Sequence, residues 1–161
     1  MLDAIIREFT TPGPVPLVII AVRLIGAVAL CGAIGLEREM QKSTAGLRTN
    51  MLIGLAAAVF ALITTYLTFM PVSEPLHVRM DPIRLVEAVT AGVAFLAAGV
   101  VIFSRGRVHG LTTGASMWLS GAVGLAAGLG YWSIAVPAAV AGLVVLYILY
   151  RVELASGIKQ K

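Results

Sequence analysis

Five apolar runs, each close to the length that crosses a lipid bilayer, leave few residues of this chain for anything else. They cover about residues 17–36, 51–70, 83–103, 111–129 and 131–150. An α-helix needs about 20 apolar residues to cross a hydrocarbon core of about 30 Å. With 59% hydrophobic residues and a mean hydropathy of +0.96, a soluble fold of this size could not bury the apolar surface. We therefore predict an all-α polytopic membrane protein, a single domain over residues 1–161 that forms a bundle of five transmembrane helices in the lipid bilayer.

The distribution of lysine and arginine predicts the orientation of this bundle. The N-terminus and the loops after the second and fourth runs carry only Arg7 and Arg79. The opposite side carries Arg38, Lys42, Arg48, Arg105, Arg107, Arg151, Lys159 and Lys161. By the positive-inside rule, the N-terminus is outside and the C-terminus is cytoplasmic. Basic residues in short loops set orientation, so we exclude nucleic acid as a partner despite the net charge of +4.

Glycine and alanine recur at spacings that let helices pack closely. Gly110 and Gly114, and again Gly124 and Gly128, have the GxxxG spacing that allows two helix backbones to approach each other. We favour packing within one subunit, because a five-helix bundle needs small residues at its own contacts. A homodimer interface is the alternative, and spacing alone does not separate the two.

Four charged residues predict an intramembrane cluster near the outer face. Arg23 is the seventh residue of the first run, at a depth of about 10 Å. Asp81 resembles an N-cap followed by proline, which places Glu87 about 8–9 Å deep, and Arg84 is three residues from both carboxylates. An unpaired arginine in lipid is unfavourable by roughly 2.5–3.5 kcal/mol at the bilayer centre. We therefore predict that Arg23 and Glu87 pair or face one polar cavity, either to fix helix register or to line an ion or proton route.

A second charged cluster is predicted at the cytoplasmic face, where the first run ends and the second begins. Glu37, Arg38 and Glu39 close the first run, and Arg48 lies just before the second. We predict that Glu37 and Glu39 accept hydrogen bonds from Arg48 and lock the hairpin. The alternative is a solvated surface ion pair of little energetic value.

The start of the fourth run follows a basic turn, residues 105–109, and is rich in hydroxyl groups. A helix N-terminus beside basic residues attracts an anion or a lipid head group. Alternatively, Thr112, Thr113 and Ser116 cap the helix and form hydrogen bonds across the bundle. We favour the second interpretation.

Several short motifs, taken in order, resemble the MgtC/SapB family over about residues 20–130. They are G-L-E-R-E at residues 35–39, A-G-L-R-T-N-M-L at 45–52, F-L-A-A-G-V at 95–100 and G-L-T-T at 110–113. The combination at these separations is more specific than any single motif. Arg48, Thr49 and Asn50 lie in the second motif, and Asn50 stands where the family commonly has histidine. Ala97 and Ala98 lie where Leu-Gly-Ala-Gly is common.

The resemblance implies a multi-pass protein of the bacterial cytoplasmic (inner) membrane that supports growth at low magnesium and, in pathogens, survival inside macrophages. The best-known members add a cytoplasmic C-terminal domain and are thought to restrain the F-type ATP synthase. This chain stops at Lys161, so we expect the transmembrane domain only, acting by regulation of other membrane proteins such as the membrane sector of that synthase. The alternative is an oligomeric channel or transporter for magnesium or another small solute.

The residue pattern does not predict an enzyme. The sequence has no phosphate-binding loop, no histidines at zinc spacing and no nucleophilic triad, so we expect no catalytic residues and no cofactor. Magnesium prefers hard oxygen ligands, and the candidate stations for it are Glu37, Glu39, Glu74, Asp81 and Glu87. The neighbouring arginines oppose cation affinity, because each neutralises a carboxylate.

Overall fold

The computed structural model describes residues 13–69, 81, 83–104 and 107–155, and five α-helices form most of this part of the chain. They are α1 (Leu17–Met40), α2 (Leu47–Thr68), α3 (Ile83–Val100), α4 (Leu111–Leu129) and α5 (Trp132–Ala155). Four of them, α1, α2, α3 and α5, are long and apolar enough to cross a membrane. The prediction of a helical membrane protein is confirmed.

Helix α4 lies at the centre of the bundle and contacts each of the other four helices. Of its 19 residues, 12 are buried, and most of these are glycine, alanine or serine. A helix that contacts four others gains more from close backbone approach than from large apolar side chains at those contacts. This position explains why so many residues of α4 are small.

The glycines of α4 bring its backbone into contact with α2. A methyl group added at Gly124 would lie 2.6 Å from Gly54 Cα, and one added at Gly128 would lie 2.6 Å from Ala58 Cα. Only hydrogen fits at both positions. The predicted packing role within one subunit is therefore confirmed for this GxxxG pair.

The turn between α4 and α5 is as tight as the sequence predicts. Gly130 ends α4 with φ +84°, a conformation that glycine adopts without a steric penalty. The amide of Gly130 donates to Ala127 O at 3.0 Å, and that of Tyr131 donates to Ala126 O at 2.8 Å. These two bonds form a Schellman motif, which satisfies the last carbonyl groups of α4.

Three predicted helix boundaries differ from the structure. Helix α1 continues to Met40 and α2 already begins at Leu47, so the first two family motifs lie mostly within helices. Helix α3 ends at Val100, and a short antiparallel hairpin, β1 (Ile102–Ser104) and β2 (Arg107–His109), replaces its expected last turn. The β-branched residues from position 100 to 102 suit an extended backbone better than a helix.

Candidate functional site

Asn50 is the centre of a buried polar cluster in which α2 meets α4. Its side chain is fully buried. The Nδ2 group donates to Gly46 O at 2.8 Å and to Ala45 O at 3.2 Å. The Oδ1 atom accepts a hydrogen bond from Ser120 Oγ at 2.8 Å. One amide therefore ties the loop before α2 to the central helix and leaves no polar atom of its own unpaired.

Helix α1 joins this cluster through Cys31. The buried Sγ atom donates to Ser120 O at 3.3 Å. A side chain at Gly54 would overlap this sulfur atom, so α1 and α2 are also in direct contact here. Ser120 thus connects three helices, through its hydroxyl to α2 and through its carbonyl to α1.

The sequence interpretation missed Cys31 and Ser120 as parts of a polar site, although a signal was present. Thr113, Ser116 and Ser120 follow one another at spacings of three and four, which places them on one face of a helix. All three are buried. Because buried hydroxyl groups need hydrogen-bond partners, this stripe indicated the face of α4 that meets other helices.

The prediction for the start of α4 is confirmed only in part. Thr113 Oγ1 and Ser43 Oγ are 2.8 Å apart, which links α4 to the α1–α2 loop, and Ser116 Oγ donates to Thr113 O at 2.8 Å. Thr112 is exposed. The N-cap is Gly110 with φ +88° and no side-chain hydrogen bond, so the expected capping by threonine was wrong.

The charged motif at the end of α1 is arranged differently from the prediction. Arg38 is 6% exposed and donates to the carboxylate of its neighbour Glu37. Glu39 Oε2 accepts from the backbone amide of Leu47 at 3.0 Å, so this carboxylate caps the start of α2 and complements its dipole.

Arg48 is exposed and pairs with neither glutamate in the described part of the chain. The predicted Arg48 bridge was wrong, because Arg38 and a helix N-terminus are nearer partners. Thr49 is half-buried.

The predicted pair of Arg23 and Glu87 was also wrong. Arg23 Nη1 donates to Gly128 O at 3.0 Å, near the C-terminus of α4, where the helix dipole favours a cation. Helix α1 packs against α2, α4 and α5, whereas α3 packs mainly against α4. Glu87 is exposed on α3, and the carbonyl groups of the central helix are closer to Arg23.

Asp81 does form the predicted N-cap, since its Oδ1 accepts from Ile83 N at 3.0 Å. Arg84, like Glu87, is exposed. Glu74 lies outside the described residues. Within the described ranges, no group of three or more histidine, cysteine, aspartate or glutamate residues is placed to hold a metal ion. The described candidates therefore lie in two places, Glu37 and Glu39 near the end of α1 and Asp81 and Glu87 near the start of α3.

Sequence comparisons show what the chain is similar to. The profile of the MgtC family matches residues 24–155. "Putative magnesium transporter YhiD" of Escherichia coli (strain K12) is 38% identical over 130 residues, which are 81% of this chain and 60% of that protein. "Protein MgtC" of Brucella abortus (strain 2308) is 38% identical over 125 residues, or 78% of this chain and 49% of that protein. The chain thus spans about half to three-fifths of the length of these curated relatives. No solved structure matches it.

Proposed function

This chain belongs to the MgtC family, and from that membership we propose that it supports magnesium homeostasis by acting on other proteins of the bacterial inner membrane. The names of its relatives, a magnesium transporter and MgtC, support the link to magnesium. The proposed mode of action is contact between transmembrane helices. The membrane sector of the F-type ATP synthase is the partner that the family resemblance suggests.

The observation that carries this proposal is the close packing at the centre of the bundle. Gly124 rests on Gly54 and Gly128 on Ala58, with no room for a methyl group between them. The polar groups around Asn50 bond to one another. A centre filled by helix backbones and paired polar groups supports action through the outer surface of the bundle rather than conduction through one chain.

The arrangement of the charges supports the same proposal. Glu37 is neutralised by Arg38, and Glu39 is held at the N-terminus of α2. Arg23 is bound to the C-terminus of α4. Each group has a local structural partner, and none of the three is aimed at a common route through the bundle.

A transporter is the second candidate, and the name of the relative from E. coli favours it. The contacts between α2 and α4 fill the centre of the described bundle, so in this second candidate the route lies between the copies of an oligomer.

Growth and partner capture test the proposal together. Expression of the chain in a host that lacks its gene should restore growth at limiting magnesium and leave growth at replete magnesium unchanged. A photoreactive phenylalanine analogue at the exposed positions Phe60 or Trp118 should crosslink to a membrane subunit of the ATP synthase. The same analogue at Met117, which is 2% exposed, should not.

Liposomes that contain only this protein and a magnesium-sensitive dye distinguish a transporter from a regulator of other proteins. The proposal expects dye signals equal to those of empty liposomes. Magnesium flux from the protein alone, together with no crosslink to the synthase, would contradict the proposal and favour transport.

A further inference from the structure

Helix α3 is the least buried of the four membrane-length helices. Only Val93 among its 18 residues is buried. A methyl group added at Gly92 or Gly99 would meet nothing within 4 Å, in contrast to the filled space around Gly124 of α4. The side of α3 away from Val93 is therefore open along its length.

This side, which we call the open α3 face, combines small residues with one aromatic ring and two opposite charges. Its defining residues are Arg84, Glu87, Ala91, Gly92, Phe95 and Gly99, and all six are exposed. Their spacings of three, four and seven residues place them on one side of a helix. Small residues on a transmembrane helix allow another helix backbone to approach closely.

The two charges indicate what covers the open α3 face. Arg84 and Glu87 lie within the membrane-length stretch of α3, and neither forms an ion pair with another described residue. Charged side chains in transmembrane helices almost always pair or face protein rather than lipid. The face carries a positive and a negative charge three residues apart, so it is complementary to a second copy of itself. At a two-fold interface, a contact between the positive residue of one copy and the negative residue of the other occurs twice.

We infer that the open α3 face is a self-association surface that takes a second copy of this chain in the same membrane orientation. Arg84 of each copy pairs with Glu87 of the other, and Gly92 and Gly99 let the two α3 backbones approach. Gly124 and Gly128 of α4 do not serve this contact, since they already pack against α2. The inference goes beyond the proposed magnesium role, and the tests of the two are independent.

Cysteine crosslinking in membranes tests this placement with a matched control. Ala91 lies nine residues before the end of α3 and Ala56 nine residues after the start of α2, so both are about 13–14 Å from helix ends on one side of the bundle. Both are exposed. The native Cys31 is fully buried, so the parent protein serves as the background control. We expect Ala91→Cys to form a disulfide-linked dimer several-fold more than Ala56→Cys and the parent.

Charge reversal tests the proposed ion pairs in the Ala91→Cys background. Arg84→Glu or Glu87→Arg alone should lower the dimer fraction several-fold, because like charges then face each other. The double variant, which exchanges the two signs, should restore it. Failure of the exchange to restore crosslinking would contradict the proposed contact.

Two outcomes of the crosslinking would overturn the inference. One is crosslinking of Ala91→Cys no greater than that of Ala56→Cys, as expected if lipid covers the face. The other is an adduct that joins position 91 to a different protein. Counting of photobleaching steps for the fluorescently labelled parent in dilute vesicles needs no variant, and it should show two chains per particle. Single steps alone would also overturn the inference.

Discussion

Replacement of Gly124 by alanine should destabilise the protein, although the same change usually strengthens a helix. The added methyl carbon would lie 2.6 Å from Gly54 Cα, about 1 Å closer than the roughly 3.5–4.0 Å at which carbon atoms make favourable contact. The obstacle is backbone, which has no rotamer to change, so α2 and α4 must move apart. Ser120, one turn earlier on α4, would then move away from Asn50.

The expected magnitude follows from two opposing terms. Overpacking a well-packed interior is unfavourable by about 1–3 kcal/mol, and contact with a rigid backbone places Gly124→Ala at about 2–3 kcal/mol. Alanine offsets about 0.5–1 kcal/mol of this, because glycine loses more conformational entropy in a helix. The net loss is about 1–2.5 kcal/mol. Gly92→Ala, measured in detergent with the protein dilute enough to keep the chain monomeric, is the matched control: inside one chain nothing lies within 4 Å of the added methyl group, so it should stabilise the monomer by about 0.5–1 kcal/mol.

Thermal unfolding of the purified protein in detergent, followed by circular dichroism, measures both variants. A chain of this size shifts its Tm by about 2–4 °C per kcal/mol. Gly124→Ala should therefore melt about 2–10 °C below the parent, and Gly92→Ala at or slightly above it. If the two variants melt together, or if Gly124→Ala is the more stable, then α2 and α4 are not in backbone contact and the derived packing is incorrect.

Three more predictions follow from individual hydrogen bonds. Asn50→Ala should lower the free energy of unfolding by about 1–3 kcal/mol, since it leaves buried partners unpaired. A double-mutant cycle with Ser120→Ala should show coupling between the two positions, and additive losses would contradict the hydrogen bond. Arg23→Met should lower the melting temperature more than Arg48→Met, because Arg23 binds the end of α4 while Arg48 is exposed; equal effects would argue against that contact. Glu39→Ala should remove a helix cap and reduce the free energy of unfolding by about 0.5–1 kcal/mol. Glu39→Asp should retain part of the cap, and urea titration in mixed micelles should rank the parent above Glu39→Asp and Glu39→Asp above Glu39→Ala.

Several local features were predictable because they depend on neighbouring residues. Asp81 caps α3 as its position before proline indicates, and Gly130 makes the tight turn into α5. In both places the backbone requires a particular residue type within a few positions. The five helices in the described part of the chain and the family motifs were predictable from the sequence as well.

Several of the errors concern which group a charged or polar side chain contacts. Arg23 and Glu87 were paired because their depths are similar, but depth does not state which helices are neighbours. Arg48 was assigned to Glu37 and Glu39 by charge, whereas Arg38 and the amide of Leu47 occupy those carboxylates. The polar cluster of Cys31, Asn50 and Ser120 depends on three helices meeting at one point, which no single segment reveals.

The sequence by itself determined that the chain enters a membrane, that it forms helices and that it resembles the MgtC family. Hydrophobic length, turn residues and motif spacing act along the chain, so they can be read one segment at a time. Only the tertiary structure decided that α4, which is rich in small residues, is the centre, and that α3 has an open face. Both depend on which helix surfaces are covered by protein, and that is a property of the assembled bundle.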